Sequence, residues 1–185
     1  MDRKEIGKYA SKMKCQRLEP NEPLKTYRRA IVIPACAELN FLPATLASME
    51  ENPEKLLNET LTIVIVNNSK ESQDEKKSQN SQMLEEFRKG NHPDNFFWID
   101  MASPGKEIDA KGGVGTARKA GMDTALNYLE KSNDSLIFSL DADTLVEENY
   151  IASGIDYFRD NPSSPAAVFS FIHQKHEDDA TDRAI

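Results

Sequence analysis

This sequence predicts an α/β fold, a mainly parallel sheet with helices on both faces, and three observations lead there. Short unbroken apolar runs rich in Val, Ile and Phe recur along the chain, as in strands covered on both sides. Segments with helical apolar spacing separate them, so strand and helix alternate. The length, 185 residues, suits one substantial core and leaves two full domains short of chain.

The elements follow in order. Residues 1–25 read as an N-terminal basic helix or arm: KEIGKYASKMKCQRL places Ile6, Tyr9 and Met13 at helical spacing among lysines. Such a stripe packs on a domain edge or makes peripheral membrane contact. The folded domain then spans residues 26–185. Its expected strands are TYRRAIVIPA (26–35), LTIVIV (61–66), FFWID (96–100), SLIFSL (135–140) and AAVFSFI (166–172). Expected helices are LPATLASMEEN (42–52), with Pro43 early and Leu42, Leu46 and Met49 on one face, and residues 72–91, amphipathic at Met83, Leu84 and Phe87. The longest covers residues 114–133, with Ala117, Gly121, Ala125 and Leu129 spaced by four, and the last spans 147–162 and stops at Pro162.

Charge and composition narrow the function. A net charge of -8 and a pI near 5.0 argue against nucleic acid as a partner. The charge is uneven: nine Lys/Arg against four Asp/Glu up to Arg29, and four against twelve from Glu130 onward. No apolar run approaches the ~20 residues of a membrane span, and the polar N-terminus lacks a secretion signal, so a soluble cytoplasmic protein is expected. Cys15 and Cys36 have no metal-type spacing and read as free thiols.

In an open sheet of this kind ligands bind beyond the carboxyl ends of the strands. The residues to inspect are therefore 34–40, 67–70, 100–115 and 141–144. Asp141 and Asp143 end the apolar run LIFSL. If the strand continues through them, both carboxylates point to one side with Cα atoms ~7 Å apart. Like charges that close need a cation or donors between them, and a hard divalent ion, Mg²⁺ or Mn²⁺, suits oxygen ligands. The competing reading is a turn in which Asp143 or Thr144 caps the helix starting near Glu147.

A second constellation is KGGVGTARKAG, residues 111–121. Glycines 112, 113 and 115 before a helix bring backbone N–H groups close to a phosphate, with Lys111, Arg118 or Lys119 adding charge. It is not a Walker A loop, because Lys119 precedes alanine, nor a dinucleotide fingerprint, because about eleven residues separate Asp100 from Gly112.

Taken in order, VIPACAE, IVIVNNS, GVGTARKAG and LDADTL resemble the family-2 glycosyltransferases, which have the GT-A, Rossmann-like nucleotide-sugar-binding fold. The resemblance covers about residues 28–172. It implies that the backbone around Pro34 and Ala35, with the Glu38 carboxylate, lines the nucleobase pocket. It places Asn67 and Asn68 where the family carries aspartates, so that Asn68 would meet the base through its amide. Arg118 becomes a donor contact and Lys111 a weaker one, while Lys119 stands where the family has asparagine. Asp143 is implied as the metal ligand, with Asp141 reaching ribose or the metal's water.

The implied chemistry is transfer of a sugar from a nucleotide-diphosphate sugar to an acceptor hydroxyl, with Mn²⁺ or Mg²⁺ as cofactor. The acceptor is unspecified. The family's general base comes well after the D-x-D, and only 42 residues follow Asp143, so the chain is expected to hold the donor half of a longer enzyme without its acceptor part. His173 and His176, beside Glu177, Asp178 and Asp179, read foremost as a solvated loop, with a metal ligand or a substitute base as the alternative. His92 reads as a loop residue and Trp98 as core. Two other functions stay open: a nucleotidyltransferase, which would carry a glycine-rich phosphate loop directly after its first strand where this chain has PACAELN, and a non-catalytic nucleotide- or protein-binding module.

Overall fold

Seven consecutive buried residues, Arg29–Ala35, form the central strand β1, and the run AIVIPA holds that position because it is apolar towards both faces. The computed structural model of the chain describes Tyr9, residues 15–132 and residues 134–172. Among them β1 pairs in parallel with β2 (Thr60–Asn67) on one side and with β4 (Leu136–Ser139) on the other. β3 (Phe96–Met101) pairs in parallel with β2, which makes the order β3-β2-β1-β4.

Helices accompany these strands: α1 (Leu42–Glu50), α2 (Glu54–Asn58), α3 (Asp74–Lys89), α4 (Gly113–Ala125) and α5 (Tyr150–Asp160). The two-residue period of the strands sorts them into layers. Ile31, Ile33, Val64 and Val66 face α1, α3 and α5, packing with Leu42, Met49, Met83, Leu84 and Ile151. Ala30, Val32, Ile63 and Ile65 face the other way, towards Ala117 and Ala125 of α4. The split follows from topology. The chain builds β1, β2 and β3 outward in one direction and then returns past β1 to add β4, and a right-handed crossover in the reverse direction lays its helix on the opposite face.

Gly121 lets α4 lie close to the sheet: a Cβ there would stand 2.5 Å from both Ile65 Cδ1 and Val32 Cγ1. Charge and amide groups close the amino end of the sheet. Arg29, 4% exposed, donates to Glu59 Oε2 at 2.5 Å and to Thr60 Oγ1 at 3.3 Å. Asn95 donates to the carbonyls of Leu57 and Thr60 at 2.9 and 2.8 Å. The segment before β1 joins the core through buried Leu18, and Glu19 and Trp98 exchange backbone hydrogen bonds of 2.9 and 3.1 Å. Tyr9 reaches α4, its hydroxyl donating to Asp123 Oδ1 at 3.2 Å. The remainder of the basic stretch, residues 1–8 and 10–14, lies outside the described residues, as do His173, His176 and the acids beside them. Among the described residues no helix is long and apolar enough to cross a membrane.

Several expectations are corrected. The run 166–172 forms no strand; Val168 is 94% exposed, and Phe169 leans on Phe138 and Tyr150, with ring centroids 6.3 and 4.7 Å away. Phe169 anchors the run, which is not buried on two sides. The helix expected at 114–133 stops at Ala125; Leu129 is buried beyond it, at a single bridge to Tyr27. α5 begins at Tyr150, and its N-cap, Asn149, makes no side-chain cap, so neither Asp143 nor Thr144 starts it. α2, a five-residue helix, is too short to show an apolar period.

Candidate functional site

The return of the chain past β1 creates a switch in strand order between β1 and β4, and the crevice beyond their carboxyl ends is where such a sheet takes a ligand. Pro34 and Ala35 end β1 there and are buried, Ala35 fully, so the accessible surface at this end of β1 begins with the half-buried Cys36 and Ala37. Ala37 follows with φ +64°, a left-handed conformation that alanine rarely takes. Its N–H donates to Asn80 Oδ1 at 2.8 Å. Glu38 comes next, half-buried, and its carbonyl accepts from the N–H groups of Phe41 and Leu42 at 3.1 and 2.9 Å.

Across the crevice β4 ends at Ser139, so the strand does not run through the two aspartates. Asp141–Thr144 is a turn, closed by Thr144 N–H to Asp141 O at 3.2 Å. Ala142 is buried between two exposed carboxylates, and its carbonyl accepts from the fully buried Thr45 hydroxyl at 2.8 Å. Further along, Ser48 Oγ accepts from Val146 N–H at 3.1 Å, and Asn52 bridges Glu147 O and Ile151 N–H at 3.2 and 3.0 Å. One edge of α1, with Asn52 just past its end, thus stitches down the segment after the turn. Thr45, Ser48 and Asn52 escape sequence reasoning as single residues, though their spacing of three and four marks one helical face.

Three carboxylates meet electrostatically at this place. Burial pushes the Glu38 carboxyl up, and the negative charges of Asp143 and then Asp141 push it further, against the opposing pull of Lys76. Arg118 of α4 forms an ion pair with Asp141. Among the described residues no three His, Cys, Asp or Glu side chains form a closed ligand cluster. Asp141 and Asp143 could hold a hard cation that keeps water or ligand oxygens in the rest of its shell.

Two polar atoms here lack a partner. Arg118 Nε and Asn67 Oδ1 are both buried and make no hydrogen bond, although Asn67 is only 4% exposed. By strand alternation Asn67 continues Ile63 and Ile65 on the α4 face, the side that carries Arg118. The first turn of α4 is open: Gly113 has φ +50°, and a Cβ on it or on Gly115 would meet nothing within 4 Å. Lys111 is exposed in the turn just before.

Asn68 stands differently from what the resemblance implies. It is 2% exposed, its amide donates to the carbonyls of Ser69 and Ala102 at 3.2 and 3.3 Å, and its oxygen accepts from Asn80 at 2.8 Å. Its hydrogen-bonding capacity is spent on the protein. Lys119 points away from the crevice, paired with Asp123 and donating to Tyr9 OH at 3.1 Å, so its place in the motif serves the N-terminal segment.

At the opposite end of the sheet an open groove of about 520 Å³ runs between Pro20, Leu24 and Tyr27 and the aromatic wall of Phe87, His92 and Phe96. His92 stacks on Phe96 at 4.6 Å, and Trp98 is core at 1% exposure. This groove is remote from the carboxylates. Both cysteines are free thiols.

No family model matches the chain, and no curated protein matches it. Among solved structures it is similar to the crystal structure of S. aureus TarS 1-349, with a TM-score of 0.45 and 16% identity over 71% of this chain and 32% of that one. The chain spans about a third of the length of that structure.

Proposed function

We propose that the chain is the donor-binding part of a metal-dependent glycosyltransferase, which takes a nucleotide-diphosphate sugar at the β1/β4 crevice and passes the sugar to an acceptor hydroxyl. The observation that carries this reading is that Glu38 follows β1 while Asp141 and Asp143 follow β4, its parallel neighbour, with Arg118 of α4 paired to Asp141. Like charges gathered at a strand-order switch stay together at a cost unless a cation joins them.

The donor set fits Mn²⁺ or Mg²⁺, because every candidate ligand is a carboxylate oxygen. Asp143 and Asp141 would hold the ion, which when bound polarises the diphosphate and stabilises the charge on the leaving nucleotide. The chain's own groups do the rest. The open first turn of α4 offers backbone N–H groups to phosphate, with Lys111 beside it. Arg118 holds Asp141 in place through their ion pair. The half-buried backbone from Cys36 to Glu38, directly after Pro34 and Ala35, would form the floor on which the nucleoside lies.

Calorimetric titration with UDP and GDP, with and without Mn²⁺, tests the reading on wild type and Asp143→Asn. Metal-dependent binding that Asp143→Asn abolishes supports it. Binding that is indifferent to metal and to the substitution would move the function to a metal-free binding module.

A further inference from the structure

Asn80 lies in a strongly polar helix, DEKKSQNSQMLEEFRK, yet it is 0% exposed. It shares the inward phase of Met83, Leu84 and Phe87. Burying an amide among apolar neighbours is unfavourable unless every polar atom is matched. This one is matched three ways: Oδ1 accepts from Ala37 N–H at 2.8 Å, and Nδ2 donates to Asn67 O at 3.0 Å and to Asn68 Oδ1 at 2.8 Å. A single side chain therefore ties the loop after β1 to the end of β2.

The residue it grips in the first loop is the strained one. Ala37, with φ +64°, is the one described non-glycine residue with positive φ, a conformation that persists only where its surroundings over-determine it. Directly after it comes Glu38, the carboxylate raised by burial and by Asp143 and Asp141. With Ala37 in the left-handed region the chain turns sharply between β1 and α1; with it in the ordinary β or α region, Glu38 would leave the crevice.

We infer that Asn80 is a positioning residue, which holds Ala37 left-handed and so presents Glu38 to the same crevice as Asp141 and Asp143. This rests on the donor-binding reading for its consequence, while the positioning itself is measurable without any ligand. Nothing in the helix pattern other than the inward phase distinguishes Asn80 from its polar neighbours.

The test combines amide hydrogen exchange with UDP titration in Mn²⁺, on wild type, Asn80→Ala and Ala37→Val. In Asn80→Ala the Ala37 amide is expected to lose about 100-fold protection while Ile33 and Val64 in the sheet keep theirs, and UDP affinity is expected to fall about tenfold. Ala37→Val leaves the helix core untouched and disfavours positive φ, so it should reproduce the affinity loss with the sheet intact, and it stands in should Asn80→Ala not fold. An unchanged Ala37 amide in folded Asn80→Ala, or wild-type UDP affinity in Ala37→Val, overturns the inference. If wild type binds no nucleotide, the donor-binding reading fails, and the Ala37 exchange rate alone decides the positioning role: lost protection upholds it and retained protection sinks it.

Discussion

Asp100 and the Asp141/Asp143 pair occupy equivalent places, the carboxyl ends of parallel strands, and are treated in opposite ways. The Asp100 side chain is 2% exposed and surrounded by donors: the N–H groups of Ala102 and Ser103 at 3.1 and 2.9 Å, Lys106 Nζ at 2.9 Å and Arg88 at 3.6 Å. Burial would raise its carboxyl, yet the bonds from Ser103, Lys106 and Ala102 outweigh burial and hold it below its ordinary range. Glu19 extends the group, 3.7 Å from Arg88 and 3.5 Å from Lys106. At the other edge of the sheet, Asp143 and Asp141 are exposed and act on Glu38 as repelling neighbours. Asp100 is enclosed by donors, whereas Asp143 and Asp141, the latter paired with Arg118, stay exposed to solvent.

The largest effect that would sharpen this contrast is expected at Asp100. Asp100→Ala strips partners from two backbone N–H groups and two cations and should cost about 3 kcal/mol in urea unfolding. Asp143→Asn should leave stability within about 0.5 kcal/mol of wild type in the same assay. Equal losses would break the comparison. Gly121→Ala follows, at about 2 kcal/mol, because its methyl meets Ile65 and Val32 at 2.5 Å on a face that cannot yield freely. Its unfolding midpoint should fall with no change in m-value.

The two carboxyl environments also predict opposite pH signatures. Asp100 is held below its ordinary 3.8, so its contribution is present above the unfolded pKa and is lost as pH falls through the folded one. Asp100→Asn should therefore lose most stability at neutral pH and converge on wild type in acid. Glu38 is raised above 4.5, so the native state loses stability as pH rises from that value through the folded pKa. Glu38→Gln should be the more stable protein at pH 7 by about 0.5 kcal/mol, an advantage that vanishes below about pH 4. A Glu38→Gln variant less stable than wild type at pH 7 would mean that the repulsion is already relieved.

The sequence made some of this plain and hid the rest for physical reasons. β1 and β2 are buried at every position, so their apolar runs are unbroken and easily read. β4 has only one fully buried residue among four, and LIFSL announces it no more clearly than AAVFSFI announces a strand that does not form. Composition registers apolar residues and is blind to whether a second strand lies alongside. Glu38, Arg118, Asp141 and Asp143 could be picked out because each stands just past an apolar run or in a glycine-bounded helix. Asn80 could not, since its three partners are 12 to 43 residues away and its neighbours in sequence are as polar as it is. Asn68 shows the converse: an asparagine at a strand end looks available for a ligand until long-range partners such as Ala102 are known.

Trp98 is the chain's single tryptophan, and it sits against Phe87 and Phe96, with centroids 5.5 and 6.4 Å away, near the amino end of β3 and away from the crevice. Its emission consequently reports the integrity of the sheet and is insulated from whatever enters between β1 and β4. Nucleotide added to the folded chain should leave the fluorescence spectrum unmoved, while the denaturation curve followed by that same signal shifts to higher denaturant in proportion to occupancy. The molecule carries its own optical thermometer, placed where the ligand does not disturb the reading.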